Sequence, residues 1–349
     1  MHCSALSCFR NNRNGAIGFK PKLRCESMNA LDQQPKPVTQ GSSPEAKIRL
    51  FRSLFRGRED VYPRRFESRK TNKAGYSPVC ANEWIRGVCE KPKIKCTDCP
   101  HQRFVPVADE VIRWHLSGRD GLGHDFVMGI YPMLLDETCR FLAVDFDGER
   151  WQADAGAFMD TCCRLDVPAA LEKSRSGVGA HVWLFFEEPI PAILARKVGS
   201  FILTEAMENR PELGFDSYDR LFPNQDTLPK GGFGNLIALP LQKGSRSKGN
   251  TLFLNEQFKP HPDQWAYLSS LRKISRAGAE ALVHEATANG RVLNSSSCQC
   301  PSRLAYRSAT SGRTRMEERL FCECAATDSR WRRCATCKFI CPYRVSSPE

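Results

Sequence analysis

No run in the chain approaches the roughly 18 consecutive apolar residues of a membrane span, and no apolar core follows Met1 as a secretory leader requires. Both absences point to a soluble, cytoplasmic protein with no membrane partner. A G-x-x-x-x-G-K-[ST] phosphate loop is missing too, which excludes a Walker-type nucleotide motor within these residues. Cysteine, by contrast, is abundant at seventeen. With no leader, and with C-x-x-C spacing present, metal binding or reduced thiols fit better than a disulfide scaffold.

The 349 residues suffice for about two domains, and 41% hydrophobic content is enough for a core. The net charge of +12 is unevenly spread. Residues 1–75 carry 16 Lys/Arg against 6 Asp/Glu and residues 296–349 carry 10 against 5, which leaves the middle slightly acidic. Basic flanks suit a phosphate backbone, although for residues 1–45 a solvated tail is the better account.

The most informative stretch is FLAVDFDGERW, residues 141–151. Its first four residues predict a short buried strand that ends in Asp145-Phe146-Asp147 and a glycine. Alternation puts Asp145 and Asp147 on one face. Two such carboxylates repel unless a cation lies between them, and hard ions such as Mg²⁺ or Mn²⁺ prefer oxygen ligands.

The rest of the chain falls into place around this strand. Residues 1–45 lack periodicity and predict a disordered basic segment. In residues 46–75, Ile48, Phe51, Leu54 and Phe55 predict an amphipathic helix with a basic face, followed by a linker. Docking on the main domain is the expected role of that helix, ahead of arginine contact with nucleic acid. Residues 76–105 hold Cys80, Cys89, Cys96 and Cys99 as C-x8-C-x6-C-x2-C, a tetrahedral Zn²⁺ pattern with His101 as a substitute ligand.

Residues 106–275 form the expected catalytic domain of α+β class. Helices are predicted near 107–116, 153–163 and 191–209, and strands near 126–134, 180–186 and 235–241. Ser174, Arg175, Ser176, Gly177 and Gly179 form a small-residue loop that opens on His181, a pattern suited to phosphate. Asp216, Asp219 and Asp226 each offer a third metal carboxylate, and Lys230, in a glycine-rich basic loop, is a candidate contact to the nucleotide's phosphates. Residues 276–349 read as a linker and a cysteine-rich tail, either a second zinc module around Cys334 and Cys337 or non-native sequence.

In order, GYSPVCANEW, FLAVDFD, SRSGVGAHVWLFF, SYDRLFPNQD and PKGGFGNLIALPLQ resemble the archaeo-eukaryotic primase superfamily, in particular the primase domain of TOTE conflict systems. The likeness spans about residues 47–271. It implies an RNA-recognition-like sheet with Asp145 and Asp147 as metal ligands and His181 on the incoming nucleotide's phosphates. Asp219 is the preferred third ligand, with Asp226 or Asp216 as alternatives. It also implies two-metal nucleotidyl transfer to a 3′-hydroxyl on a single-stranded DNA or RNA template from nucleoside triphosphates, in a bacterial defence setting with a separate helicase or nuclease. A non-catalytic zinc-containing nucleic-acid-binding module, or a truncated remnant of a larger primase-helicase, is the alternative. A metal-dependent nuclease fits less well, because the S-R-S-G-x-G-x-H loop suits a triphosphate.

Overall fold

The computed structural model describes residues 36–68, 71, 73–210 and 217–288. The basic segment up to residue 35, Asp216 and the cysteine-rich tail from residue 289 lie outside the described residues. The chain begins with α1 (Pro44–Leu54), β1 (Pro63–Glu67) and β2 (Ala74–Pro78), and continues through the cysteine module to α2 (Asp109–Ser117) and β3 (Gly129–Ile130). A central unit follows: β4 (Thr138–Asp147), α3 (Trp151–Arg164), β5 (Ala170–Lys173), β6 (Gly179–Pro191), α4 (Ala192–Asn209) and β7 (Tyr218–Phe222). It is completed by β8 (Ile237–Ala238), α5 (Lys243–Arg246), β9 (Phe253–Leu254), α6 (Gln264–Ser269) and α7 (Arg276–Ala288). Among the described residues, no helix is long and apolar enough to cross a membrane.

The central unit is a βαββαβ split arrangement. Its strands stand in the order β7-β4-β6-β5, with β9 beyond β5, and every pairing is antiparallel. One face of the sheet, including Leu142, Val144, Phe146, Val182 and Leu184, packs in one cluster with Phe158 of α3 and Val198 and Ile202 of α4. The other face, including Phe141, Ala143, Trp183 and Phe185, packs with α1 and α2. Cover on both sides explains why residues 141–144 form an unbroken apolar run rather than an alternating one.

Helix α1 begins at Pro44, just inside the segment expected to be disordered, because its cap lies there. Ser43 caps it by accepting from the Ala46 N–H (3.2 Å), and Pro44 occupies the first turn, where no N–H is needed. Its buried Ile48, Phe51 and Leu54 face the sheet, and the following Phe55 sets its ring edge-on to Trp183 and Phe185, with centroids 5.0 and 5.4 Å away. Each such ring contributes about 1.5–3 kcal/mol by burial. Arg52 pairs with Asp109 and Glu59, and Arg56 with Glu59. Docking is therefore what this helix does in the fold, and its Arg52 and the following Arg56 are engaged in ion pairs.

Two expectations change. Residues 126–134 and 235–241 contribute only β3 and β8, a two-residue ladder pairing Gly129 with Ala238 and Ile130 with Ile237. Pro132 and Pro240, without an N–H to donate, stand just beyond it. The linker expected after α1 instead contains β1, whose PRRFE sequence has no apolar alternation to mark it.

His115 ties α2 to this cover. Fully buried, it accepts from the Met128 N–H at Nδ1 (3.1 Å) and donates from Nε2 to the Pro240 carbonyl (2.9 Å). Burial pushes its pKa down to about 4. Since the unfolded value is about 6.5, the neutral ring's stabilisation is complete above that pH and is lost as pH falls toward 4, amounting to about 3 kcal/mol. Urea denaturation at pH 7.5 and at pH 4.5 checks this. His115→Gln should be the less stable protein at pH 7.5, and its deficit should shrink at pH 4.5.

Candidate active site

Strand parity decides which side chains meet. Asp145 and Asp147 share the β4 face of Phe141 and Ala143, away from α3 and α4. On β6, His181 stands opposite Asp145 and Gly179 opposite Asp147. On β5, Glu172 stands opposite His181. On the other side, the β4–β7 register shifts between Asp145 and Phe146, a bulge that brings Asp219 to the same place. The entry to β7 is fixed from below: buried Asp154 of α3 accepts from the Ser217 hydroxyl (2.7 Å) and N–H (3.2 Å), while the Ser217 carbonyl accepts from the Asp147 N–H (2.6 Å).

Asp145, Asp147 and Asp219 each offer an oxygen within 4.8 Å of the others, the one such group of three donors among the described residues. Asp145 is buried, Asp219 half-buried and Asp147 exposed. Oδ1 of Asp145 has no hydrogen-bond donor and faces His181 Nε2 at 3.5 Å. Burial, with Asp147 and Asp219 nearby, pushes the Asp145 carboxyl up to about 6 despite the opposing imidazole. A buried oxygen without a donor, flanked by two more carboxylates, fits a hard divalent cation. Arg220 donates from Nε to Asp219 Oδ2 (2.6 Å), which partly offsets the charge.

His181 is held from behind. Its Nδ1 donates to Glu172 Oε2 (2.7 Å), and Trp183 Nε1 donates to the same oxygen (3.1 Å). Burial disfavours a charged ring, but the carboxylates of Glu172, Asp145 and Asp147 outweigh it and raise the imidazole to about 9. Glu172 belongs to no recognisable motif, and Trp183, although inside the SRSGVGAHVWLFF stretch, is not singled out by it as a site residue. The available signal was a Glu in the four-residue strand that feeds the hairpin.

Residues 174–178 make the tight turn between β5 and β6. Ser174 donates its N–H to the Gly179 carbonyl (2.9 Å), and its hydroxyl lies 2.9 Å from that of Ser176. Gly177 has φ +84°, the left-handed region, and a side chain there would meet Asn250 at 2.7 Å. A Cβ on Gly179 would lie 2.2 Å from Asp147 Oδ1, so this glycine makes room for the carboxylate itself. Arg175 stands beside the Tyr76 hydroxyl of β2, and its carbonyl accepts from Asn250.

Two candidates lie elsewhere. Asp226 pairs with buried Arg196 of α4, and neighbouring Leu228 donates its N–H to Glu137, just before β4 begins. That is the far end of a ten-residue strand from Asp147, about 30 Å away at strand rise. Lys230 is exposed on the same loop, beside Gly231, which faces the Thr97 carbonyl of the cysteine module. Cys80, Cys89, Cys96 and Cys99 are all free and half-buried, and line one pocket with His101. Their sulfurs do not draw together as closely as the aspartate oxygens. Cys80 Sγ accepts from the Arg103 N–H (3.4 Å), and the Lys91 cation lies near Cys96 while bonded to Glu83 (2.8 Å).

Residues 46–282 match the family model described as the TOTE conflict system, Archaeo-Eukaryotic Primase domain. No curated protein matches the chain. Among solved structures, the polymerase domain of ligase D from Mycobacterium tuberculosis, in complex with DNA, aligns over 72% of this chain and 90% of its own at 13% identity, with a TM-score of 0.32.

Crowded carboxylates make a measurable prediction. At pH 8 in EDTA, Asp145→Asn should melt several degrees above the wild type, because it removes a buried charge from its like neighbours. The gap should narrow as pH falls through about 6, where the wild-type carboxyl takes up its proton. Added Mn²⁺ should raise the wild-type melting temperature more than that of the variant.

Proposed function

The chain belongs to the archaeo-eukaryotic primase domain family of TOTE conflict systems, and on that premise we propose that it is a template-directed nucleotidyltransferase. The observation that carries the proposal is the convergence of Asp145, Asp147 and Asp219 from β4 and β7 beside His181 from β6, on one face of the sheet. The three aspartates would hold Mg²⁺ or Mn²⁺. When bound, such ions lower the pKa of an attacking 3′-hydroxyl and neutralise a leaving pyrophosphate.

The remaining chemistry belongs to the protein. His181, anchored at Nδ1, presents Nε2 to an anionic oxygen of a nucleoside triphosphate. Ser174, Arg175, Ser176, Gly177 and Gly179 offer hydroxyls, a guanidinium and close backbone approach to the same phosphates. Gly179 leaves Asp147 free to reach across from β4. Clustered carboxylates repel a bare phosphate backbone, which favours an enzyme over a pure nucleic-acid binder. Asp226 and Lys230, at the far end of β4, take no part in this reading.

Cys80, Cys89, Cys96 and Cys99 would hold a structural Zn²⁺. The donor set fits: four thiols line one pocket, and one sulfur already accepts a backbone N–H. Defence against foreign nucleic acid, with a helicase or nuclease supplied separately, is the setting this family membership suggests.

Nucleotide incorporation on single-stranded DNA with Mn²⁺ or Mg²⁺, with and without primer, tests the activity. Product is expected from the wild type and should fall to background in Asp145→Ala, while the unprimed lane decides whether synthesis can start de novo. No product from folded, metal-supplied protein would leave the binding-module reading in its place. The cysteine proposal has a separate check by elemental analysis: about one zinc per chain, lost in Cys96→Ser together with thermal stability.

A further inference from the structure

Glu172, at 1% exposure, is a buried carboxylate on the strand face that carries the aspartate cluster, and the metal-ligand reading has no use for it. A carboxylate in such a place needs partners. It has two, both on β6 and both donating to one oxygen: the His181 imidazole at 2.7 Å and the Trp183 indole at 3.1 Å. The trio is set by strand pairing, since Glu172 stands opposite His181 and Trp183 lies two residues further on the same face. Trp183 is itself locked among Phe55, Phe141 and Phe185. The carboxylate is therefore fixed by a rigid indole, and the imidazole is fixed by the carboxylate. With Nδ1 engaged, Nε2 is the nitrogen left facing Asp145.

We propose that Glu172 is a positioning residue, which holds the His181 ring so that Nε2 meets the triphosphate of an incoming nucleotide. This rests on the reading of His181 as a phosphate contact. Glu172 touches no substrate; its effect passes through the imidazole, as the outer carboxylate partners of metal-bound histidines act through theirs. Without it, the imidazole would lose the partner that fixes its side-chain torsions, and nucleotide binding would bear the loss.

The test is steady-state incorporation by the full chain on a primed single-stranded template with Mn²⁺, comparing Glu172→Gln, Glu172→Asp, Glu172→Leu, His181→Ala and the Glu172→Leu/His181→Ala double variant. The leucine variant should raise KM for the nucleotide by about tenfold to a hundredfold, with a smaller change in kcat. In the His181→Ala background the same substitution should add little, because the two residues act as one unit. Gln keeps an acceptor oxygen within reach and should stay near wild type, whereas Asp keeps the charge but falls one methylene short and should lose affinity. Should Leu unfold this buried site, the order of Gln over Asp decides the matter alone. Additive losses in the double variant, Asp outperforming Gln, or unchanged KM throughout would overturn the proposal while wild-type activity left the functional reading intact. An inactive wild type would remove both.

Discussion

A single antiparallel pairing, Asp145 opposite His181 across β4 and β6, is what the rest of the site depends on. These are the central strands of the sheet, and neither can slip by one residue without turning its functional side chains to the face packed against α3 and α4. The apolar residues hold the register. Leu142, Val144 and Phe146 alternate with Phe141 and Ala143, and each set is buried under different helices. The polar end of the strand inherits an alignment that the core enforces some distance away. The site is a by-product of packing in geometry and a liability to it in charge.

That liability is managed locally. Asp145 is flanked by an imidazole and two carboxylates, Asp219 is drawn to Arg220, and Glu172 absorbs two donors behind His181. Acidic and basic groups alternate from strand to strand: Glu172, His181, Asp145 and then the Asp219–Arg220 pair. Even so, Asp145 keeps a buried oxygen without a donor. Such a group costs stability unless something fills the gap, and a cation is the simplest filler for a place already lined with oxygens.

Much of this was legible in the sequence, and the limits have physical reasons. D-F-D after four apolar residues could only place both aspartates on one face, and His181 after a small-residue loop had to open a strand. The helices α3 and α4 announced themselves through length and composition. Asp219 was harder, since a bulge in β7 moves it into place and strand periodicity does not mark bulges. Asp226 lay equally near in sequence but is carried away by the exit from β7 to pair with Arg196. Lys230 looked like a phosphate contact because lysine and glycine together often are, yet its position follows the cysteine module. Glu172 was invisible because its role exists only once β5 and β6 pair. Strands β3 and β8 fell short of their apolar runs, which cover the sheet without joining it.

Strand β9 has a consequence for how the protein is made. Phe253 and Leu254 close the outer side of β5, pairing with Glu172 and Leu171. During synthesis, β5 emerges more than seventy residues ahead of them. Until they leave the ribosome, the strand that secures the imidazole is an open edge with unpaired amides, the form of backbone that recruits other chains. Nascent or clipped products ending short of residue 254 would carry every aspartate of the site and still be sticky, so soluble yield, rather than chemistry, sets where this domain can be trimmed.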